Sequence, residues 1–228
     1  MSQLFDAYED NYGAAVQSSI DFSGLPHDFF LIAKADLLAK ITRAHFGGGA
    51  KLAGLDVGCG IGALHPLLGS TFTNLHGVDV SKPCIDQARR ANAAVTYAAH
   101  DGETLPYADG KFDVTMTSCV MHHVPPAQWQ AFMAEMARVT RPGGLVCVIE
   151  HNPWNPLTRL AVARCEFDRD AVLLTAPRTQ KLMVSAGLGS VASDFFLFLP
   201  TAAAPARKLE GWLKRLPLGA QYMTTGVR

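Results

Sequence analysis

Leu55-Asp56-Val57-Gly58-Cys59-Gly60-Ile61-Gly62, with Asp79 seventeen residues further on, is the stretch that decides the fold. It reads as an apolar strand running into a glycine-rich turn, followed by a carboxylate at the tip of the next strand. Glycines at 58, 60 and 62 remove side chains where the backbone must bend sharply and approach a ligand. Asp79 stands where strand-end acids of nucleotide-binding α/β folds accept hydrogen bonds from a ribose diol. The two features together predict a cofactor that contains adenosine.

Its identity turns on charge. Gly58-Cys59-Gly60-Ile61-Gly62-Ala63, with alanine in the last place, also satisfies the dinucleotide fingerprint. Asp56, however, puts a negative charge just before the first glycine, where a pyrophosphate is poorly served and a ligand carrying an ammonium and a sulfonium is helped. Further motifs follow in order. Val95-Thr96-Tyr97-Ala98-Ala99-His100-Asp101-Gly102 reads as a strand ending in an acid and a glycine. Leu105-Pro106-Tyr107 leads to the strand Phe112–Val120, then come Met121-His122-His123-Val124, a helix, and the turn and strand Arg141–Glu150.

The run from Leu55 to Gly62 closely resembles the first motif of class I S-adenosylmethionine-dependent methyltransferases. The ordered set, over roughly residues 50–150, resembles their small-molecule branch, of the methyltransferase type 11/12 kind. The resemblance implies an α/β fold, a three-layer Rossmann-like sandwich with a mostly parallel seven-stranded sheet whose last strand is antiparallel. It also implies S-adenosyl-L-methionine as cofactor. Asp56 and the backbone of Gly58, Gly60 and Gly62 would lie by its methionine part. Asp79 would hold the ribose hydroxyls and Val80 would flank the adenine. Asp101 would accept from the adenine amino group, with Gly102 leaving room for the ring, and Ser118 and Cys119 would border the sulfonium. For Asp79 a second reading stands, a helix cap, because Ser81-Lys82-Pro83 looks like a helix start.

Periodicity places strands near 52–57, 75–80, 95–100, 112–120 and 145–150, alternating with helices near 62–69, 83–93 and 126–139. Such alternation implies right-handed βαβ units with ligands at the carboxyl ends of the strands. The tail offers a helix near 177–186 and strands near 191–199 and 220–227, which by the resemblance pair as an antiparallel edge. The expected organisation is one methyltransferase domain over 1–228. Residues 1–49 form an N-terminal helical lid or cap, 50–151 the cofactor-binding core, and 152–228 an acceptor-side insertion with the last strands.

Two helical segments precede the first strand. One carries Phe5, Tyr8 and Tyr12 on one face, and the other runs from Pro26 to His45 with Phe29, Phe30, Ala33, Leu37 and Ile41 as its stripe. Tyr8 and Tyr12, with Phe22-Ser23-Gly24, fit either a lid over the cofactor, where an aromatic face attracts a sulfonium, or a stripe packed on the sheet.

Composition limits the partners. Lys plus Arg equals Asp plus Glu at 20 each, so no global field recruits nucleic acid. No stretch reaches the apolar length of a membrane span, and the early acids are unlike a signal peptide. The expected setting is cytoplasmic, as a monomer or homodimer acting on a small-molecule acceptor. Arg207, Lys208, Lys214 and Arg215 alternate with Leu209, Trp212, Leu213 and Leu216, the pattern of an amphipathic helix docked on the domain's own core. The five cysteines are odd in number and lack Cys-x-x-Cys spacing, as in a reduced protein.

The acceptor site is expected in the variable parts. Glu150-His151-Asn152-Pro153-Trp154-Asn155-Pro156 follows the fifth strand on the ligand side, stiffened by its prolines, with Trp154 as a flat apolar surface. Imidazole accepts protons near neutral pH, so His151 is a candidate general base, or else it shapes the loop with Asn152. His123 is the second candidate base and lines the pocket. Arg159, Arg164 and Arg169 are spaced five apart, so at most one or two converge on an anionic acceptor. A metal at His122 and His123 is not expected, because no Asp or Glu lies at ligand spacing beside them.

The expected reaction is transfer of the cofactor's methyl group to a small acceptor, a hydroxyl first, by in-line displacement without metal. One alternative is a catalytically silent cofactor-binding or scaffold protein. Another is a nicotinamide oxidoreductase, but its Tyr-x-x-x-Lys match, Tyr107 to Lys111, contains Asp-Gly in a turn and cannot share one helix face.

Overall fold

In a computed structural model that describes residues 12–199, 201 and 210–228, the sheet contains β1 (Ala53–Val57), β2 (Asn74–Asp79), β3 (Thr96–Ala99), β4 (Phe112–Ser118), β5 (Thr140–His151), β6 (Gly189–Phe196) and β7 (Gln221–Val227). Their order is β3-β2-β1-β4-β5-β7-β6. The first five strands pair in parallel, and β7 runs antiparallel to both β5 and β6. The expected seven-stranded sheet with its antiparallel last strand is therefore present. Strand order reverses between β1 and β4, so their carboxyl ends splay around a crevice, the usual ligand position in such sheets.

Both faces of the sheet are covered, which is why its central strands are continuous apolar runs. Alternation along β5 sends Val146 and Val148 to one face and Leu145, Cys147 and Ile149 to the other. The first face meets two helices, Trp129–Val139 (α4) and Ala176–Ser185 (α6). The second meets α2 (His27–Phe46), whose Phe29, Ala33 and Leu38 enter the core. α3 (Lys82–Ala91) packs Ile85 and Ala88 on Tyr97. Ser81 caps it, accepting from the Cys84 amide at 3.3 Å, and Pro83 sits in the first turn where its missing N–H costs nothing.

Three expectations need correction. The helix near 62–69 is a series of turns with a single 3-10 segment at His65–Leu67. Gly62 has φ of 72° and Pro66 has no amide to bond the Gly62 carbonyl, which instead accepts from His65 N and Asn92 Nδ2. Of the amphipathic segment near the end, Arg207, Lys208 and Leu209 lie outside the described residues; Trp212 is 89% and Leu216 46% exposed rather than docked on the core, Leu213 is half-buried, and Lys214 and Arg215 pair with Asp194. Trp154 is likewise half exposed rather than part of the ligand cavity. Among the described residues no helix is long and apolar enough to cross a membrane.

Two remaining elements enclose the ligand side. α1 (Tyr12–Ile20) and a 3-10 turn (Asp21–Ser23) come from the N-terminus, and α5 (Pro156–Arg164) follows β5. Asn155 starts α5 by accepting from the Thr158 amide at 3.0 Å. The Arg164 guanidinium lies 5.3 Å from the Phe22 ring, joining the two segments across the opening. Phe5 and Tyr8 fall outside the described residues.

Candidate functional site

A cavity of about 560 Å³ opens at the carboxyl ends of β1, β2, β4 and β5, beneath α1, the start of α2 and α5. Its first half is made by backbone turns. Leaving β1, the chain ties itself to β2 through the Gly58 and Cys59 amides, both donated to Val78 O at 2.8 and 3.0 Å. Gly58 has φ of 77°, and a Cβ there would come within 2.6 Å of Val120. Gly60 has φ of 52° with open space where its Cβ would be, so its backbone faces the cavity.

Asp79 closes this turn. Its two oxygens accept from Gly60 N at 2.8 Å and Ser81 N at 2.9 Å, and it lines the cavity. Burial raises its pKa, and the two amides oppose that rise. The capping role belongs to Ser81, so the helix-cap reading of Asp79 falls away. Asp56 is also buried at the cavity wall. Its Oδ2 lies 3.1 Å from His65 Nε2, and its Oδ1 has no hydrogen-bond partner. His65 in turn meets the Tyr97 hydroxyl at 2.5 Å. This Asp56–His65–Tyr97 chain joins β1, the turn region and β3, and its length in sequence hid it.

Several expected residues do line the cavity together: Asp56, Gly58, Gly60, Asp79, Val80, Gly102, Ser118, Cys119, His123 and His151. Two do not. At Gly62 a Cβ would strike Tyr97 Oη at 2.6 Å and Asn92 Nδ2 at 2.8 Å, so that glycine serves packing. Asp101 is exposed and turned back on its own loop, accepting from Glu103 N at 2.9 Å and Thr104 N at 3.0 Å, which hold its pKa down. His100 stands in the wall instead, its pKa lowered by burial, with the Gly102 amide donating to its Nδ1 at 3.1 Å. Tyr12 begins α1, but its side chain is outside the described set, as is all of Tyr8. Val16, Ser19, Phe22 and Ser23 of that segment do line the cavity. Arg159 and Arg169 do not reach the cavity wall, nor does Arg164.

The second half is made by side chains from distant segments. Glu150, fully buried, accepts from Val120 N at 3.1 Å, Met121 N at 2.8 Å and His122 Nδ1 at 2.6 Å. Asp168 comes from a 3-10 turn (Glu166–Asp168) beyond α5 and places Oδ1 3.3 Å from Nε2 of both His122 and His123. Burial works against a charged His122, yet Glu150 and Asp168 lift it to about 10. Burial and the neighbouring His122 charge push His123 down to about 4. A ring so weakly basic makes a poor general base, which leaves His151 as the better candidate. Contrary to the expectation from spacing, the fold does bring an acid, Asp168, to the histidine pair.

Cys119 directly follows β4 with φ of 57°, and its Sγ lies 3.2 Å from Lys34 Nζ and 3.8 Å from Gln221 Nε2. Burial disfavours the thiolate, but the Lys34 ammonium and His151 outweigh it and bring the thiol to about 6. Lys34 was legible as an oddity, a charge in the Phe30–Lys34–Leu38 row of an otherwise apolar helix face. Gln221, at the start of β7, lies 3.5 Å from His151 Nδ1 and keeps a buried Oε1 without a partner. All five cysteines are thiols.

Comparisons with known proteins bear on the family and the fold. Residues 55–148 match the family described as methyltransferase domain. A demethylmenaquinone methyltransferase of Beutenbergia cavernae is 34% identical over 108 residues, 46% of this chain and 44% of that one. A ubiquinone biosynthesis O-methyltransferase of Rhizobium etli is 32% identical over 128 residues, 54% of this chain and 49% of that one. The chain thus spans about half the length of these relatives. A Thermotoga maritima protein described as a SAM-dependent methyltransferase, possible histamine N-methyltransferase, superposes with a TM-score of 0.66 at 19% identity, covering 100% of this chain and 99% of that one, which speaks for the fold.

Proposed function

Since residues 55–148 are a methyltransferase domain of the class I, S-adenosyl-L-methionine-dependent type, we propose that the chain methylates a small molecule, at a hydroxyl first of all. The observation that carries the reading is a single cavity holding both halves of such a site, joined at Ser118 and Cys119. The residues fit the cofactor. Asp56 Oδ1, buried and without a partner, suits the ammonium of the methionine part, because a buried acceptor left unbonded is costly. Asp79 accepts one amide on each oxygen and keeps lone pairs for a diol. Gly60 leaves its face open, and Val80 with Gly102 form a flat slot, a Cβ at 102 meeting Val80 at 3.3 Å.

When bound, the cofactor supplies an electrophilic methyl on sulfur. The protein's work is then alignment and proton removal. Alignment of reacting groups is worth on the order of 7–11 kcal/mol of barrier. His151, at the end of β5 and facing the cavity, is the group that takes the acceptor's proton. Lys34 and Gln221 line the same wall and orient polar groups of the acceptor, while Phe132, Phe167 and Phe198 give it apolar sides. Aromatic hydroxy compounds suit such walls, and the relatives named for ubiquinone biosynthesis and demethylmenaquinone support that class.

Calorimetry with S-adenosylhomocysteine and NADH, followed by a panel of phenols and hydroquinones with labelled cofactor, tests the reading. The expected result is binding of the first ligand alone, weakened at least tenfold by Asp79→Ala, and methylation that His151→Ala reduces by about 100-fold or more. Binding of NADH, or methylation untouched by His151→Ala, overturns it.

A further inference from the structure

We propose that His122, His123 and Asp168 bind a divalent first-row transition-metal ion at the acceptor end of the cavity. His122 Nε2 and His123 Nε2 each lie 3.3 Å from Asp168 Oδ1, and the three ligand atoms fall within 4.8 Å of one another. Metal–ligand bonds of about 2.0–2.1 Å in a tetrahedral array set neighbouring ligand atoms roughly 3.4 Å apart. At 3.3 Å the contacts to Asp168 are long for hydrogen bonds and right for edges of a coordination shell. Only the two imidazoles need draw together to enclose an ion.

Glu150 supplies what a ligating histidine needs behind it. Its Oε2, 2.6 Å from His122 Nδ1, holds that nitrogen as the donor and aims Nε2 at Asp168, where a bound ion would take the place of the Nε2 proton. A carboxylate in this place fixes tautomer and ring orientation at metal sites. Charge points the same way. Two carboxylates, the buried Glu150 and the partly buried Asp168, converge on one imidazole, and a dication between Nε2 and Oδ1 neutralises both. Two imidazoles with one carboxylate are the donors of zinc and non-haem iron sites, not of calcium or magnesium. Three protein donors leave a coordination position, and all three residues line the cavity, so that position opens toward the acceptor. The His151 ring, 5.1 Å from that of His122, stands beside it. The ion's use, holding an acceptor oxygen whose proton passes to His151, rests on the methyl-transfer reading; the binding itself does not.

The chelator-treated full chain is titrated with Co²⁺ and Zn²⁺. The expected result is one Co²⁺ per chain with the visible absorption of a four- or five-coordinate site, displaced by Zn²⁺. His123→Ala and Asp168→Ala each weaken binding at least tenfold, Glu150→Gln by about 10–100-fold, and the exposed His45→Ala leaves it unchanged. S-adenosylhomocysteine binding by each variant shows that it is folded. Absence of Co²⁺ absorption at millimolar metal in a chain that binds S-adenosylhomocysteine overturns the metal site alone, as does absorption that survives both alanine substitutions in folded protein. Failure to bind S-adenosylhomocysteine overturns the reading of the other half instead.

Discussion

The two halves of the cavity are built by different means. Around Asp56, Gly60 and Asp79 the wall is backbone, shaped by strand ends and by glycines whose φ values of 77° and 52° other residues rarely adopt. Around His122 the wall is a network of side chains brought from β4, β5, the turn at Asp168 and α2. The first half depends on local conformation, so it tolerates little change in residue size and much change in its surroundings. The second depends on charge balance among buried groups, so a change that preserves shape but removes charge strikes it hardest.

Glu150→Gln is the strongest probe of that contrast. It preserves the shape of the network and removes the carboxylate that Val120 N, Met121 N and His122 share. Breaking a buried pair in this way costs about 3–5 kcal/mol, and urea unfolding of the chelator-treated protein should show it. Gly58→Ala probes the other half by shape alone. Left-handed backbone on a non-glycine residue costs about 1–3 kcal/mol, and the new Cβ at 2.6 Å from Val120 adds strain on top. Calorimetry should show S-adenosylhomocysteine affinity falling by more than tenfold. If Gly58→Ala proves the milder for binding than Glu150→Gln, the division between a backbone half and a charge half is wrong.

The contrast also explains what could be read from the sequence. Gly58, Gly60, Asp79 and the alternation of strands with helices follow from short-range patterns, among them a glycine turn after an apolar run and an acid one strand later. The antiparallel β7 was legible only through the family resemblance, because its pairing with β5 and β6 is set by long-range contacts. The Glu150–His122–Asp168 cluster was not, because Asp168 reaches it only through the path of α5 and the turn beyond. Nothing adjacent to His122 and His123 announces that carboxylate. The turn region after Gly62 was misread as a helix because its apolar spacing outweighed Pro66, whose missing N–H ends the ladder.

Lys34→Met separates the halves by pH. The Lys34 ammonium lies 3.2 Å from Cys119 Sγ, and together with His151 it holds the thiol near 6 against burial. Above that pH the native chain should carry a thiolate, so alkylation of Cys119 should follow a profile with its midpoint near 6. Removing the ammonium leaves burial to act, and the midpoint moves upward, so alkylation at neutral pH slows by about tenfold or more. Rates followed by mass spectrometry, with Cys119→Ser to identify the site, decide this. An unmoved midpoint would show that Lys34 does not set the charge of this wall.

Asp101→Ala is expected to do least. Family resemblance assigns Asp101 to the adenine amino group, whereas here its carboxylate accepts from the Glu103 and Thr104 amides and faces solvent. Its loss should cost the loop little, since the two bonds it accepts are local and exposed. S-adenosylhomocysteine affinity should change by less than about threefold, since the carboxylate faces solvent away from the cavity wall. His100→Ala, by contrast, alters a residue of the cavity wall and should weaken binding more than Asp101→Ala. The order of these two affinities is the sharpest test of the backbone half, because it asks whether position in a motif or position in the wall decides contact with adenine. A larger loss at Asp101 would mean that the loop turns inward when ligand binds and adds a third carboxylate to those of Asp56 and Asp79 in that half.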